Sequence, residues 1–268
     1  MSQHAATFRQ MHGGPEPLRL PNAWDAGSAR LFESLGAPAI ATTSAGVAWA
    51  MGYADGGRMP VEVAIAAAAN MARVLRVPLS VDMENGYSDD ASAVGETIRR
   101  LLDAGVAGIN IEDGTDAPAK LAAKIEAIRA AAEKSGLDIF VNVRTDVFLA
   151  GLVEGPKRVG ETLSRSAMYR AAGADGLFVP GLCDPSEIAA VVEGAGMPVN
   201  VMAWPGLASA AELGRLGVRR LSAGSGISQM LWGQAEKLAK DFLATSDSGS
   251  MSEGSMPYSQ LQALFVER

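Results

Sequence analysis

Short apolar runs alternate with longer amphipathic segments along most of the chain. The short runs are typical of buried strands, whereas the longer segments repeat their apolar residues with the 3.6-residue period of a helix. Strands are predicted at 18–22, 38–43, 77–83, 106–112, 138–145, 175–180, 197–203 and 218–223. Helices are predicted at 25–36, 60–75, 89–104, 117–135, 156–172, 184–194, 207–216 and 225–244.

Regular alternation of strands and helices predicts a parallel sheet. Eight strand–helix units in a chain of 268 residues favour an α/β fold of the (β/α)8 TIM-barrel type over an open doubly wound sheet. A flavodoxin-like or Rossmann sheet is the alternative, but no G-x-G-x-x-G motif follows an early strand. Glycines that follow several helices, such as Gly36, Gly105 and Gly173, suit the left-handed residue at a helix end.

The composition changes after Ala244, where the stretch TSDSGSMSEGSMP predicts a flexible linker. We therefore divide the chain into a catalytic barrel domain at 1–245, a linker at 246–256 and an amphipathic helical arm at 257–268. The linker itself leaves two alternatives open. Either the arm packs on its own barrel as a C-terminal helical extension, or it docks on a neighbouring subunit.

Composition narrows the classes of partner. The net charge is −7 and no basic run is present, so nucleic acid is not an expected partner. No apolar stretch reaches membrane-spanning length and the first residues lack a signal-like apolar core, so neither a membrane nor export is expected. The single cysteine, Cys183, excludes an intramolecular disulfide and a multi-cysteine metal site, and a reduced, cytoplasmic location is predicted.

Polar side chains gather at the carboxyl ends of neighbouring predicted strands. Residues two apart on an extended strand share a face, and a barrel brings the strand ends together at one mouth. The residues are Asp55 in the loop after strand two, Asp82 and Glu84 after strand three, Asn110 and Glu112 on strand four, and Asn142, Arg144 and Asp146 on strand five.

Converging carboxylates repel one another, and their burial requires a compensating cation. Both histidines, His4 and His12, precede the first strand, so oxygen ligands and a hard cation such as Mg²⁺ or Mn²⁺ are favoured over zinc. Asp89 and Asp113 are instead expected as helix caps or turn formers. No lysine falls at a strand end, so a Schiff-base mechanism is not expected.

Four segments carry a resemblance to a known family. TTSAGVAWAMGYADGG, VDMENGYSD, GINIEDG and NVRTD occur in the order and spacing of the isocitrate lyase/phosphoenolpyruvate mutase superfamily. The likeness extends over roughly residues 18–245. It implies a (β/α)8 barrel that binds Mg²⁺ and a 2-oxo acid, and that breaks or makes a C–C or C–P bond.

The resemblance also implies ligands for the metal. Asp82 is expected to bind Mg²⁺ directly and to lie in the substrate site, whereas Glu84, Glu112 and Asp55 are expected to bind it mostly through water. Asp55 is also a candidate catalytic residue.

For the substrate, the Thr43-Ser44-Ala45 turn is expected to donate backbone N–H groups to a carboxylate or enolate oxygen. Arg144 is expected to contact the substrate carboxylate. Thr43, Ser44 and Arg144 are therefore candidate catalytic residues. Members of this superfamily exchange a C-terminal helix between subunits, which favours a homo-oligomer, either a dimer or a tetramer.

The chain departs from the superfamily pattern in one loop. True lyases carry a K-[KR]-C-G-H element after strand four, whereas EDGTDAPAKLAAKIE contains no cysteine or histidine, and Cys183 follows strand six. Isocitrate and 2-methylisocitrate lyase activities are therefore not expected. We expect a Mg²⁺-dependent lyase that cleaves or decarboxylates a small, oxaloacetate-like 2-oxo acid through an enolate. The alternatives are a phosphonopyruvate-type C–P bond enzyme and a non-catalytic ligand-binding barrel.

Other residues near the predicted strand ends allow two interpretations each. The Gly- and Ser-rich turn at 222–226 is either a phosphate cradle or a tight connection. The tryptophans Trp49, Trp204 and Trp232 either line a pocket or pack in the core. Tyr53 and Tyr87 are candidate proton donors.

Overall fold

The computed structural model describes residues 3–246 and 248–266. The strands are β1 (Leu18–Leu20), β2 (Asn22–Ala23), β3 (Ile40–Thr42), β4 (Leu79–Asp82), β5 (Gly108–Glu112), β6 (Phe140–Arg144), β7 (Gly176–Phe178), β8 (Val199–Met202) and β9 (Arg220–Ser222). The helices are α1 (Gln3–Met11), α2 (Ala26–Ser34), α3 (Ser44–Ala50), α4 (Val61–Val74), α5 (Ala91–Asp103), α6 (Pro118–Ser135), α7 (Arg158–Ala171), α8 (Pro185–Ala195), α9 (Ala210–Arg215), α10 (Gly226–Thr245), α11 (Gly249–Ser252) and α12 (Tyr258–Ala263).

All the strand pairs are parallel, in the order β1-β9-β8-β7-β6-β5-β4-β3-β2. β1 pairs with β9, and β2, on the other side of Pro21, pairs with β3. The two segments therefore share one position in the sheet and close it into a barrel of eight positions. Proline has no N–H to donate, which accounts for the break between them. The predicted TIM barrel is confirmed.

Asn22 ties the ends of the sheet together beside this break. Its side-chain amide donates to the Thr42 carbonyl (2.7 Å), and its Oδ1 accepts from the Gly224 N–H (3.0 Å). The turn at 222–226 is thus anchored to β2, as expected of a tight connection.

Every predicted strand and helix is present, with ends that differ by at most three residues. The predicted left-handed helix ends are confirmed at Gly36, Gly105 and Gly173, whose φ angles are 89°, 89° and 108°. Three helices were not predicted, and one of them, α11, lies in the stretch predicted as a flexible linker. α1 precedes the first predicted strand, in a stretch to which no element was assigned, and α3 is too short, at seven residues, to show a helical period.

The hydrophobic core lies between the barrel and its helices. On the two adjacent strands β5 and β6, Ile109, Ile111, Val141 and Val143 are fully buried in this layer. Because strand residues alternate between faces, the residues between them point into the barrel. The polar positions of these strands are therefore interior ones.

Helix α1 closes the amino end of the barrel. The ring of Phe8 lies edge-on to Phe140 (5.5 Å between centroids), and His12 stacks on the same ring (4.1 Å). A Cβ atom at Gly108 would lie 2.7 Å from the Phe8 ring, so glycine is required for this approach. The interior of the barrel is therefore sealed at this end.

The C-terminal region leaves the barrel and returns to it. α10 has 20 residues but buries only Ser228. The predicted linker contains α11, and the predicted arm contains α12, after which Arg30 Nε donates to the Leu264 carbonyl (2.9 Å). Asp247 of the linker and Glu267 and Arg268 of the arm lie outside the described residues.

No helix in the described ranges is both long enough and apolar enough to cross a membrane.

The burial of His12 predicts acid sensitivity of the fold. Burial lowers the pKa of His12 to about 3, so the folded chain keeps this ring neutral where an unfolded chain would bind a proton. The unfolded state thus holds the additional proton between about pH 3 and pH 6.5, and the free energy of unfolding falls as the pH falls through this window. Between pH 6 and pH 4 the loss is about 2 kcal/mol.

We expect His12→Leu to remove this part of the pH dependence, measured by urea unfolding at several pH values. His4→Leu is the matched control, because His4 is not buried. The comparison uses the slope of the unfolding free energy against pH, because a change in packing shifts that free energy equally at every pH. The same slope in the His12 and His4 variants would contradict the prediction.

Candidate active site

Asp82 ends β4 at the carboxyl mouth of the barrel. Its Oδ2 accepts from the hydroxyl and the backbone N–H of Ser44 (3.0 and 3.3 Å), and its own N–H donates to the Thr42 hydroxyl (2.8 Å). Its Oδ1 accepts only a long bond from the N–H of Glu84 (3.3 Å). One side of the carboxylate is therefore held by the start of α3, and lone pairs remain on the other.

A strained turn orients Glu84. Glu84 and Tyr87 have positive φ angles of 48° and 59°, which residues other than glycine rarely adopt. Gly86, between them, also has a positive φ (92°), and a Cβ atom there would lie 2.9 Å from the Val94 side chain. The turn therefore costs conformational energy, which is typical of backbone held at a functional site.

Both carboxylate oxygens of Glu84 accept hydrogen bonds. Oε1 accepts from the Tyr87 hydroxyl (2.9 Å), and Oε2 accepts from the Gly57 N–H in the loop before α4. Burial raises the pKa of Glu84, these two hydrogen bonds oppose the rise, and the charges of Asp82 and Asp55 add to it. The hydroxyl proton of Tyr87 is thus committed to Glu84, and burial raises the pKa of Tyr87 as well.

Glu112 and Arg144 pair across β5 and β6. Arg144 Nη1 lies 2.9 Å from Glu112 Oε2, while its Nε and Nη2 donate to the two oxygens of Asp146 (2.6 and 3.0 Å). Burial raises the pKa of Glu112 to about 8 despite the charge of Arg144, and the charge of Asp82 contributes to the rise. Burial lowers the pKa of Arg144, but Glu112 and Asp146 outweigh it, so this side chain stays charged.

The Thr43-Ser44-Ala45 turn has fewer free backbone N–H groups than the sequence predicted. The Thr43 N–H donates to the Ala23 carbonyl (3.0 Å), so this one is not available to a ligand. The Thr43 hydroxyl caps α3 by accepting from the Gly46 N–H (3.4 Å). Ser44 faces Asp82, and the Ala45 N–H has no partner within the described chain. Ala45 is therefore the free donor of the three.

Asp55 lies in the exposed loop before α4, two residues from Gly57. Its charge raises the pKa of both Glu84 and Tyr87, so it lies on the same side of the mouth as those residues. The structure thus brings Asp55, Asp82, Glu84, Glu112 and Arg144 to one end of the barrel.

These residues fit a hydrated Mg²⁺ ion. In the described ranges no three Asp, Glu, His or Cys side chains lie close enough together to enclose a metal directly. Mg²⁺ keeps several of its waters in proteins, and carboxylates that are already hydrogen-bonded, as Glu84 is, suit binding through water. Burial raises the pKa of Glu112, and the charges of Asp82 and Glu84 add to the rise, so a cation at the mouth would favour the ionised carboxylates. Asp82, with free lone pairs, is positioned for direct binding, and its role stays a prediction.

The prediction of a helix cap at Asp89 needs correction, whereas the turn predicted at Asp113 is present. Asp89 does not cap α5; the cap is Asp90, whose Oδ1 accepts from the Ser92 N–H (2.9 Å). The backbone carbonyl of Asp113 does begin a turn, but its side chain is fully buried.

Sequence reasoning missed the role of that side chain. It accepts from Arg165 Nη1 (2.9 Å), the Tyr169 hydroxyl (2.6 Å) and the N–H of Asp146 (3.0 Å). Asp113 thereby holds Asp146, the partner of Arg144. The partners lie 33 to 56 residues away, so no local pattern could identify them.

The connection from β5 to α6 is short and fixed. It comprises residues 113–117 and contains no cysteine or histidine. Lys120 lies 2.6 Å from Asp89 and 2.9 Å from Asp116, and Lys124 Nζ donates to the Asn85 carbonyl (2.7 Å). Cys183 lies between β7 and α8, where burial raises its pKa.

The tryptophans differ in their surroundings. Trp49 and Trp232 line a shallow groove of about 460 Å³ together with Tyr53 and Gln229. Trp204 is 46% exposed and does not line this groove. The pocket interpretation is therefore confirmed for two of the three.

The family model described as phosphoenolpyruvate phosphomutase matches residues 8–243. The chain belongs to the phosphoenolpyruvate phosphomutase family. The resemblance read from its strand-end motifs is thus confirmed.

Three relatives indicate the range of this family. An uncharacterized protein of Mycobacterium tuberculosis is 39% identical over 266 residues, which cover 97% of this chain and 96% of that one. The oxaloacetate decarboxylase of Pseudomonas fluorescens strain SBW25 is 29% identical over 82% of this chain and 78% of its own. The crystal structure of a candidate phosphonomutase from Burkholderia cenocepacia J2315 is 39% identical, with a TM-score of 0.84 over 89% of this chain and 99% of that one.

We expect Asp82→Asn to weaken Mn²⁺ binding by at least about tenfold, because even residues that only support a metal ligand cost 10- to 100-fold when removed. The measurement is an electron paramagnetic resonance titration of free Mn²⁺, with thermal unfolding to verify the fold. Asp89→Asn is the matched control, since Asp89 pairs with Lys120 on the surface. Unchanged Mn²⁺ affinity in a folded Asp82 variant would show that Asp82 is not a ligand.

Proposed function

We propose that this protein is a Mg²⁺-dependent lyase that decarboxylates a small, oxaloacetate-like 2-oxo diacid. The observation that carries the proposal is the grouping of Asp82, Glu84 and Glu112 with Arg144 at one mouth, beside a connection too short to carry the lyase cysteine. The similarity to an oxaloacetate decarboxylase supports this choice of reaction.

Decarboxylation of such a substrate forms an enolate, whose negative charge has to be stabilised. The C3–C4 bond of the substrate breaks, CO₂ leaves, and the electron pair enters the enolate of pyruvate with its negative charge on the C2 oxygen. Mg²⁺, when bound by Asp82 and through water by Glu84, Glu112 and Asp55, supplies positive charge to that oxygen. Water then donates a proton to C3.

The protein itself offers hydrogen-bond donors at fixed positions for the oxygens of the substrate. Ala45 offers a free backbone N–H at the start of α3, which suits an anionic oxygen of the substrate. Arg144 uses three of its five N–H donors on Glu112 and Asp146 and has further donors for a substrate carboxylate. Because both acids fix its guanidinium plane, little entropy is lost when it binds the substrate.

The short β5–α6 connection favours decarboxylation over the reverse-aldol reactions of true lyases. A lyase that releases a carboxylate-bearing fragment needs a proton donor for that fragment, whereas CO₂ leaves without one. Lys120 contacts Asp116 of the connection and Asp89 of the neighbouring turn, and Lys124 donates to the Asn85 carbonyl, so helix α6 holds the two segments together.

The test is pyruvate release, followed with lactate dehydrogenase, from oxaloacetate, alkylmalates and phosphonopyruvate, each with and without Mg²⁺. We expect Mg²⁺-dependent release from oxaloacetate, and a loss of at least about 100-fold in Asp82→Ala, because a metal ion and its ligands contribute several kcal/mol to the transition state. Asp82→Ala at the same Mg²⁺ concentration also corrects for decarboxylation by free metal.

The other outcomes identify the alternatives. Release from phosphonopyruvate alone would favour a C–P bond enzyme, as the likeness to a candidate phosphonomutase allows. Release from none of the substrates, together with metal-dependent binding of oxalate, would favour a non-catalytic barrel.

We also propose that the protein works as a homo-oligomer in which α10 of one subunit packs against the barrel of another. α10 exposes large apolar side chains along most of its length, including Met230 (62%), Leu231 (50%) and Leu243 (82%). Beside β1, a groove of about 600 Å³ lined by Leu18, Phe32 and other residues lies where the last helix of a barrel would normally pack. Ile227 also lines it, and Leu231 lies one turn further along the same face.

We expect Leu231→Glu to convert the oligomer to a monomer, because a charge would be buried in an apolar contact. The measurement is light scattering coupled to size-exclusion chromatography. Met168→Glu is the control, as Met168 is 40% exposed on α7. Leu35 also lines the groove, so a disulfide between the variants Leu35→Cys and Leu231→Cys, in a Cys183→Ser background, distinguishes the arrangements. A bond between subunits supports exchange, and a bond within one chain contradicts it.

A further inference from the structure

A layer of buried polar side chains forms the floor beneath the acids of the mouth. It consists of Asn110, Asn142, Asn200, Arg220 and Ser222, each at most 3% exposed. This floor occupies the level of the barrel interior where bulky aliphatic residues usually pack. Burying a hydrogen-bonded polar network carries a cost that an apolar layer would not, so the floor calls for a functional explanation.

Arg220 is the charged member of the floor. Its Nη2 donates to Asn110 Oδ1 (3.2 Å), its Nε donates to the Ser222 hydroxyl (3.3 Å), and its Nη1 has no partner. No carboxylate of the described residues lies within ion-pair distance of it. The ring of Phe8 lies 5.8 Å below the guanidinium carbon. Burial lowers the pKa of Arg220 to about 9, against the opposing charge of Asp82.

A buried cation without an ion pair is costly, because it loses hydration that no opposite charge returns. The retained arginine therefore serves something other than packing. Strands β4 and β5 carry the acids of the mouth, and the side chain that Arg220 contacts on these strands is Asn110.

The arginine determines which way the Asn110 amide faces. Guanidinium groups only donate, so the atom that Arg220 contacts must be the amide oxygen. Asn142 Nδ2 donates to the same oxygen (2.9 Å). The amide nitrogen of Asn110 is therefore directed away from both, has no partner in the described chain, and is not sealed from solvent. Asn110 lies level with Asp82 across the β4–β5 pair and precedes Glu112 by two residues on the same face.

We propose that Arg220 is a positioning residue that holds Asn110 with its amide N–H presented to an anionic oxygen of the ligand bound at the mouth. Asn110 contacts the ligand, and Arg220 acts through Asn110. The ligand class is a planar 2-oxo carboxylate or its enolate. The inference rests on the proposed 2-oxo acid site, and it adds a donor from the floor to those from α3 and Arg144.

Oxalate is the probe, because its two adjacent carboxylates match the shape and charge of the pyruvate enolate. Calorimetric titration at saturating Mg²⁺ gives its affinity, and Mn²⁺ titration gives the affinity for metal separately. We expect Arg220→Met and Asn110→Ala each to weaken oxalate binding about 10- to 100-fold, which is the range for one hydrogen bond to a charged group. Mn²⁺ affinity should change by less than about threefold, because oxalate, and not the metal, meets the amide.

The double variant distinguishes positioning from independent effects. If Arg220 acts through Asn110, the double variant binds oxalate no more weakly than the weaker single variant. Arg220→Lys, which keeps the charge and can donate from a single nitrogen, should recover part of the affinity. Arg30→Met is the matched control for loss of a buried arginine, because Arg30 pairs with Glu33 on α2, away from the floor. It should leave oxalate affinity unchanged.

Additive losses in the double variant, unchanged oxalate affinity in Asn110→Ala, or no oxalate binding by the natural protein would each overturn the inference. The Asn110 variant decides the matter even if Arg220→Met fails to fold. Oxalate binding that depends on Arg220 and Asn110, in a protein that releases no pyruvate, keeps the inference and rejects the proposed reaction. Pyruvate release by the natural protein, with an unchanged kcat/KM in Arg220→Met, would support the proposed reaction and reject the inference.

Discussion

Repulsion between carboxylates at the mouth of the barrel is the constraint on which the rest of the structure depends. Asp82, Glu84 and Glu112 reach the same end of adjacent strands, where burial raises the pKa of Glu84 and Glu112. Like charges in a region of low dielectric cannot stay ionised without compensation. Arg144 compensates from the side, where it contacts Glu112 and Asp146. Arg220 compensates from below without touching an acid.

Neighbouring residues hold the functional side chains of the mouth in place. Asp113 is buried between Arg165 and Tyr169 and receives the N–H of Asp146, so the partner of Arg144 is held by the protein interior. At the mouth itself, Ser44 holds Asp82 by donating from its hydroxyl and its backbone N–H. Removing one member of a buried pair leaves an uncompensated charge, which costs about 3–5 kcal/mol. The mouth is therefore rigid on its β4–β6 side, and the loop with Asp55 is its exposed part.

The barrel itself is shaped to leave this end open and the other end closed. Helix α1 inserts Phe8 against Phe140 at the amino end, and Gly108 makes the space for it. Pro21 breaks the first strand, and Asn22 joins its second half to the β9–α10 turn. Aliphatic side chains fill the layer between the barrel and its helices, so the interior positions of β5 and β6 are free to carry polar groups. The polar floor follows from that division.

The sequence by itself determined the fold and the position of the acids, because both follow from local periods. The 3.6-residue and two-residue repeats predict eight strand–helix units, and the two-residue spacing of Asp82 with Glu84 places acids at one mouth. It did not determine α1, whose burial depends on a glycine 100 residues after Phe8. Nor did it determine the roles of Asp113 and Arg220, whose partners lie up to 110 residues away. Such partners are brought together only by closure of the barrel, and a hydrogen bond between distant residues leaves no period in the chain. Tertiary structure therefore decided which polar residues hold the site and which complete it.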